Sequence, residues 1–112
     1  MEKRTWPRFR SEVIVSFQDG DSESAGVTWD VSRAGMFVRS SKMPEVGSKL
    51  MVRMRFSEDR QLVLQGRVVR CFSAPALVRH LFPTGFGLEI GGTELYRNFV
   101  GTLEQAAASA RA

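Results

Sequence analysis

Apolar and polar residues alternate in several short stretches of this chain, the period-two pattern of strands that bury one face. Val13, Val15 and Phe17 alternate with Glu12 and Ser16, and Val27, Trp29 and Val31 with Thr28, Asp30 and Ser32. Leu50, Val52, Met54 and Phe56 alternate with Lys49, Arg53 and Arg55, with Met51 breaking the polar set. A longer β-rich run covers Leu62 to Phe72 and carries Gly66 at its middle, where a bulge or a corner bend is expected. Phe86, Leu88 and Ile90 then alternate with Gly85, Gly87 and Glu89.

Turn residues separate these runs. Gln18-Asp19-Gly20-Asp21-Ser22 predicts a hairpin loop, and Ser32-Arg33-Ala34-Gly35 a tight turn. Pro44 to Gly47 and Ser57 to Arg60 predict further turns, and Ala74 to Pro83 the longest loop. A single helix is predicted, capped by Thr93 with Glu94 in its first turn. Its apolar face comprises Leu95, Phe99 and Leu103, flanked by Tyr96 and Val100. Many strands and one helix point to an all-β fold, a closed antiparallel barrel of about six strands whose helix plugs one end. The expected boundaries are a flexible arm over 1–10, the barrel over 11–91, the helix over 92–105 and a frayed tail over 106–112.

Composition narrows the function. The 112 residues suit one domain, and a net charge of +4 favours an anionic partner. Cys71 is the only cysteine and is expected to be a small core residue. With His80 the only histidine, no standard zinc site can be built and no nucleophile–base set for an enzyme can be assembled, so neither metal nor cofactor is expected. No apolar run approaches the about 20 residues that cross a bilayer, which makes membrane insertion unexpected and the cytoplasm the expected compartment.

Two stretches carry candidate chemistry. Lys3-Arg4-Thr5-Trp6-Pro7-Arg8-Phe9-Arg10 concentrates cations ahead of the first strand. Pro7 disfavours a helix there, and a bent path can bring the Arg4 and Arg8 guanidinium forks to one phosphate or stack them on a flat base. The second stretch is Asp30-Val31-Ser32-Arg33-Ala34-Gly35. Strand parity is expected to turn Asp30 and Ser32 outward, where a carboxylate and a hydroxyl can meet a guanine edge, and Gly35 to permit a positive φ and close approach of a ligand. Taken singly, a solvated basic terminus and a polar turn explain the two stretches as well.

Together the stretches resemble the signature of the PilZ family, R-x-x-x-R followed by D/N-x-S-x-x-G, with Arg4, Arg8, Asp30, Ser32 and Gly35 on the five signature positions. Gly35-Met36-Phe37-Val38, Pro44 to Ser48, Leu64 to Val69 and Gly85 to Ile90 also resemble family segments, in the style of the stand-alone domains common in deltaproteobacteria. The resemblance implies a six-stranded antiparallel barrel with a C-terminal helix. It implies a non-enzymatic receptor for cyclic di-GMP that signals to a downstream protein partner. It implies that Arg4 and Arg8 clamp phosphates, that Asp30 and Ser32 meet a guanine edge, and that Gly35 allows close contact. Lys3 occupies the position associated with binding a ligand dimer, and Arg10, Arg33 and Arg70 are possible supporting cations without a motif position. The alternatives are an interaction or pilus-assembly adaptor that binds no ligand, which lacks the arginines in degenerate members, and a basic barrel for single-stranded nucleic acid. The latter calls for aromatics on an exposed strand face, and most aromatics here fall at core parity.

Overall fold

The computed structural model describes residues 6–91 and 93–111. Seven strands run through it: β1 (Phe9–Arg10), β2 (Ile14–Asp19), β3 (Ser22–Val31), β4 (Gly35–Arg39), β5 (Lys49–Arg55), β6 (Gln61–Phe72) and β7 (Gly85–Ile90). One helix, α1 (Glu94–Arg111), follows, and a single 3-10 turn, Ala76–Val78, lies in the long loop. All pairings are antiparallel. The order β3-β2-β5-β6-β7-β4 closes because β4 also pairs with β3, so six strands form the barrel and β1 is an additional strand on the edge of β3. Closure leaves no long edge among those six to recruit a foreign strand.

The alternation read from the sequence builds β2, β5 and most of β6 without interruption. Val15, Phe17, Leu50, Val52, Met54, Leu62, Leu64 and Val68 face the interior, where Phe17 meets Phe86 edge to face at 5.0 Å. Gly20, at φ 64°, makes with Asp21 the tight turn from β2 to β3 that the run from Gln18 to Ser22 predicts. The Thr93 hydroxyl accepts the Tyr96 N–H at 3.3 Å and caps α1 as expected. Tyr96 and Val100 enter the core, and Phe99 and Leu103 pack beside it.

Several expectations are corrected. α1 continues to Arg111, so 106–111 is helical and no frayed tail begins at 106. Leu95 is exposed, because the core-facing stripe is centred on Tyr96 and Val100 rather than on the Leu95 row. Phe56 lies just beyond β5, is exposed, and packs on Phe99 at 5.0 Å instead of entering the barrel. Gly66 stays paired on both sides, and the irregularity of β6 falls between Val68 and Arg70. That shift leaves Cys71 exposed, its thiol donating to the Pro44 carbonyl at 3.2 Å, so it is not a core residue. Phe9 and Arg10 pair with Val31 and Asp30, so strand structure begins inside the expected 1–10 arm.

The largest departure is at the middle of β3. Thr28 pairs with Val38 and Asp30 with Phe37, so Trp29 is an extra residue, a β-bulge. The opposite edge is broken at the same place, since β1 and β2 both border β3 but are separated by Ser11 to Val13. The bulge reverses the expected parity: Thr28 is fully buried and Trp29 turns outward. Thr28 tolerates burial because its hydroxyl accepts the Val13 N–H at 2.8 Å and donates to the Ser11 carbonyl. It thereby holds together the gap between β1 and β2.

Candidate functional site

The bulge is what aims the candidate residues. Beyond it Val31 returns to the core, and Asp30 emerges on the rim between β1 and β4. Arg8 sits one residue before β1 and donates from Nη2 to Asp30 Oδ1 at 2.8 Å. The pairing of Arg10 with Asp30 and of Phe9 with Val31 fixes the path that delivers Arg8 there. Two signature stretches 22 residues apart in sequence are thus in direct contact. Arg4 and Lys3, the other candidates of the first stretch, lie outside the described residues.

Ser32 and Gly35 close the turn between β3 and β4. The Ser32 N–H donates to the Gly35 carbonyl at 2.8 Å, and the Gly35 N–H to the Ser32 carbonyl at 3.3 Å. Ser32 is only 1% exposed, which corrects the expectation that it faces outward with Asp30. Its hydroxyl accepts the Ala34 N–H at 3.2 Å, an ST-type turn that spends the side chain on local backbone. The expected positive φ at Gly35 is also corrected, since only Gly20 and Gly47 have it among the described residues. Glycine is required here for space: a Cβ would lie 1.8 Å from the Leu88 carbonyl oxygen of β7. The close approach is therefore that of a neighbouring strand.

Tyr96 completes the turn from the far end of the chain. Its hydroxyl lies 2.8 Å from both the Ser32 and the Gly35 carbonyl oxygens and shares its proton between them. Burial pushes its pKa well above the ordinary phenol value, with the Arg8 charge and the Ser32 bond opposing that rise. A buried tyrosine demands a partner for its hydroxyl, so the Tyr96 position was a signal that the sequence offered and that a purely apolar reading of the helix face passed over.

Beside the turn, a groove of about 320 Å³ lies over β4 and β7. Arg8 and Arg70 line it, with Ala34, Gly35 and Gly87 between them. Gly87 keeps the groove clear, because a Cβ there would meet Cγ and Nε of Arg70 at 3.3 Å. Glu89, also in its lining, is paired to Arg67 at 3.0 Å. A second groove of about 250 Å³ adjoins at Arg70 and is lined by Asp30, Trp29, Phe37, Phe72, Phe82 and Pro83. Arg70, the supporting cation that had no motif position, thus shares the site with Arg8. The other two supporting cations are engaged elsewhere. Arg10 lies 3.6 Å over the Trp29 ring, and Arg33 holds Glu104 at 2.7 Å and stands 5.0 Å over the Trp6 ring. The Glu104 bond raises the pKa of Arg33, while Arg33 holds that of Glu104 below the usual carboxylate range.

Two guanidinium groups beside one carboxylate, over small residues, offer bidentate donors for phosphate and an acceptor for the N–H edge of a base. Among the described residues no cluster of histidine, cysteine or acidic side chains is placed to hold a metal ion. The family model for the PilZ domain matches residues 2–95. The chain belongs to the PilZ family.

Solved structures share its architecture. The inhibitor of motility MotI/DgrA of Bacillus subtilis is 18% identical with a TM-score of 0.76, the match covering 100% of this chain and 55% of that one. The chain thus spans about half the length of that protein's structure. The PilZ domain of YcgR from Escherichia coli, solved with c-di-GMP, is 10% identical with a TM-score of 0.72 over 98% of both chains. The PilZ domain of CeSA from a cellulose-synthesizing bacterium is 22% identical with a TM-score of 0.54, covering 84% of this chain and 89% of that one. At these identities the likeness is one of fold. No curated protein matches the sequence. Among the described residues no helix is long and apolar enough to cross a membrane.

Proposed function

We propose that this PilZ domain is a non-enzymatic cytoplasmic receptor for cyclic di-GMP that passes the signal to a partner protein. The observation that carries the reading is the Arg8–Asp30 contact at 2.8 Å on the rim of a groove shared with Arg70. Membership of the family and the bound c-di-GMP of the YcgR domain support the choice of ligand. Arg4 and Arg8 clamp phosphate, and Lys3, at the position before the first signature arginine, is assigned to binding of a ligand dimer. Arg70 extends the clamp across the groove. Asp30 accepts from a guanine edge, and Ser32 and Gly35 contribute through the tight turn that holds Asp30 at the rim. In the free protein Arg8 and Asp30 satisfy each other, so ligand binding exchanges one charge-assisted bond for several. Both side chains are partly exposed, at 44% and 20%, so the exchange is open to solvent and sensitive to salt.

Calorimetric titration tests the reading. Arg8→Ala removes two to three charge-assisted bonds and is expected to weaken cyclic di-GMP binding by roughly 100-fold. Absence of binding by the unaltered chain overturns the function, whereas tight binding unchanged by Arg8→Ala overturns the residue assignment.

A further inference from the structure

Around the barrel, β4 and β5 are separated by two strands in either direction, β3 and β2 one way and β7 and β6 the other. The outer face of β5 therefore points away from the groove of Arg8 and Arg70. That face is an ordered grid. Arg55 stands between Ile14 and Gln61, Arg53 between Ser16 and Val63, Met51 between Gln18 and Gln65, and Lys49 opposite Arg67. Three of its aliphatic side chains are unusually open for a strand, Ile14 at 61%, Met51 at 53% and Val63 at 50%.

Arg8, Arg33, Arg39 and Arg67 are each paired with a carboxylate. Lys49, Arg53 and Arg55 make no ion pair among the described residues. Lys49 sits directly opposite Arg67, whose charge Glu89 meets from the other side. Two carboxylates border the grid, Glu23 on β3 across Gln18 and Glu89 on β7, which Arg67 engages. The column Lys49, Arg53 and Arg55, without ion pairs among the described residues and set among exposed aliphatics, is complementary to acidic groups on something else.

We propose that the outer face of β2, β5 and β6 is a docking surface for an acidic segment of a partner protein that carries aliphatic side chains among its carboxylates. Alternate residues of a strand stand about 6.7 Å apart. Carboxylates one turn apart on a helix are about 6 Å apart and match the Arg53–Arg55 spacing. A bilayer is a poorer fit, because the face is part of a wall and offers no aromatic or protruding loop for insertion. Nucleic acid is poorer still, since the grid holds no ring on which bases stack. This surface does not depend on the identity of the ligand in the Arg8 groove.

An NMR titration of the whole chain with a synthetic helical peptide, bearing glutamates one turn apart with leucines between them, tests the proposal. Amide shifts are expected to centre on β2, β5 and β6. The double variant Arg53→Glu/Arg55→Glu is expected to weaken the peptide roughly 10-fold or more by placing like charges in contact. Met51→Ser, which alters no charge, is expected to weaken it less, and Arg8→Ala not at all. All three sites are exposed, so melting curves should stay at the wild-type temperature, and Met51→Ser still tests the face if the double variant fails to fold. Shifts centred on the Arg8 groove, or affinity unchanged in the β5 variants, overturn the proposal. So does tighter binding of phosphatidylglycerol-containing vesicles or of oligothymidylate than of the peptide. Cyclic di-GMP binding measured on the same β5 variants is expected to be unchanged, which keeps a failure here distinct from a failure of the receptor reading.

Discussion

The β5–β6 hairpin and the corner between β3 and β4 start from similar alternating sequence and end as different kinds of structure. In β5, and in β6 as far as Val68, buried and exposed residues alternate without a break. At the corner, Trp29 is extra, Thr28 is drawn inside, and Ser32 folds back on its own turn. The regular hairpin commits its inward side chains to the core and leaves its outward ones as a flat, evenly spaced array. The irregular corner changes the direction of successive side chains, so that Asp30, Arg8 and Arg70 converge on one rim. Uniform pleating makes a wall, and local departure from it makes a site.

The strongest challenge to this contrast is Gly35→Ala. The added Cβ meets the Leu88 carbonyl at 1.8 Å, and backbone cannot yield as a side-chain tip can. The loss of stability in urea denaturation is expected to exceed about 3 kcal/mol, above the usual cost of overpacking. A variant of wild-type stability would mean that the corner is no tighter than the hairpin.

Tyr96→Phe is expected to cost about 1 kcal/mol, because the Ser32 and Gly35 carbonyls lose the phenol but keep their turn partners. Amide exchange should quicken at Ala34 and Gly35 and stay unchanged in β5 and β6. Equal acceleration in both regions would show that the hydroxyl stabilises the barrel at large and has no special hold on the corner.

The same residue sharpens the contrast through pH. Burial raises the Tyr96 pKa, so above about pH 10 the unfolded chain loses its phenolic proton while the folded chain keeps it. The contribution of Tyr96 is therefore complete below that pH and declines above it, by at most about 1.4 kcal/mol per pH unit. The readout is the difference between the unaltered chain and Tyr96→Phe across alkaline denaturation curves, since Tyr96 is the only tyrosine. A constant difference from neutral to strongly alkaline pH would contradict the assignment.

The smallest effect is expected from Arg33→Ala. Its pair with Glu104 lies at the surface, where solvent screens the attraction, so the melting temperature should be unchanged within error. A clear drop would give the outer side of the corner a stabilising role it is not expected to have.

The parts of the molecule legible in sequence are those in which one rule holds over many residues. Leu50, Val52 and Met54 declare the inward face of β5, and the loop from Gln18 to Ser22 declares the β2–β3 hairpin. Thr93 marks the start of α1. The bulge was hidden because Val27, Trp29 and Val31 make an acceptable apolar set, and Thr28 enters the core only once Ser11 and Val13 are there to satisfy its hydroxyl. Cys71 was misplaced for the same reason, since the shift after Val68 changes the parity of the end of β6. At the candidate site, Arg8 and Asp30 could be named from sequence, but their contact required the β1–β3 pairing of only two residues. Arg70 carried no motif, and only the shift between Val68 and Arg70 relative to β7 explains its place beside Gly87.

The Tyr96 hydroxyl also sets an order of events in biosynthesis. Its bonds to Ser32 and Gly35 span 64 and 61 residues, and β7 must already be paired to accept the turn, since Ile90 N–H donates to the Ala34 carbonyl. During synthesis from the N-terminus both signature stretches emerge before Tyr96, the residue that fastens the Ser32–Gly35 turn. A nascent or C-terminally truncated chain that lacks α1 would carry every signature residue without the finished turn. Competence to respond would then wait on the synthesis of α1, which makes the helix a checkpoint on the signature stretches that precede it.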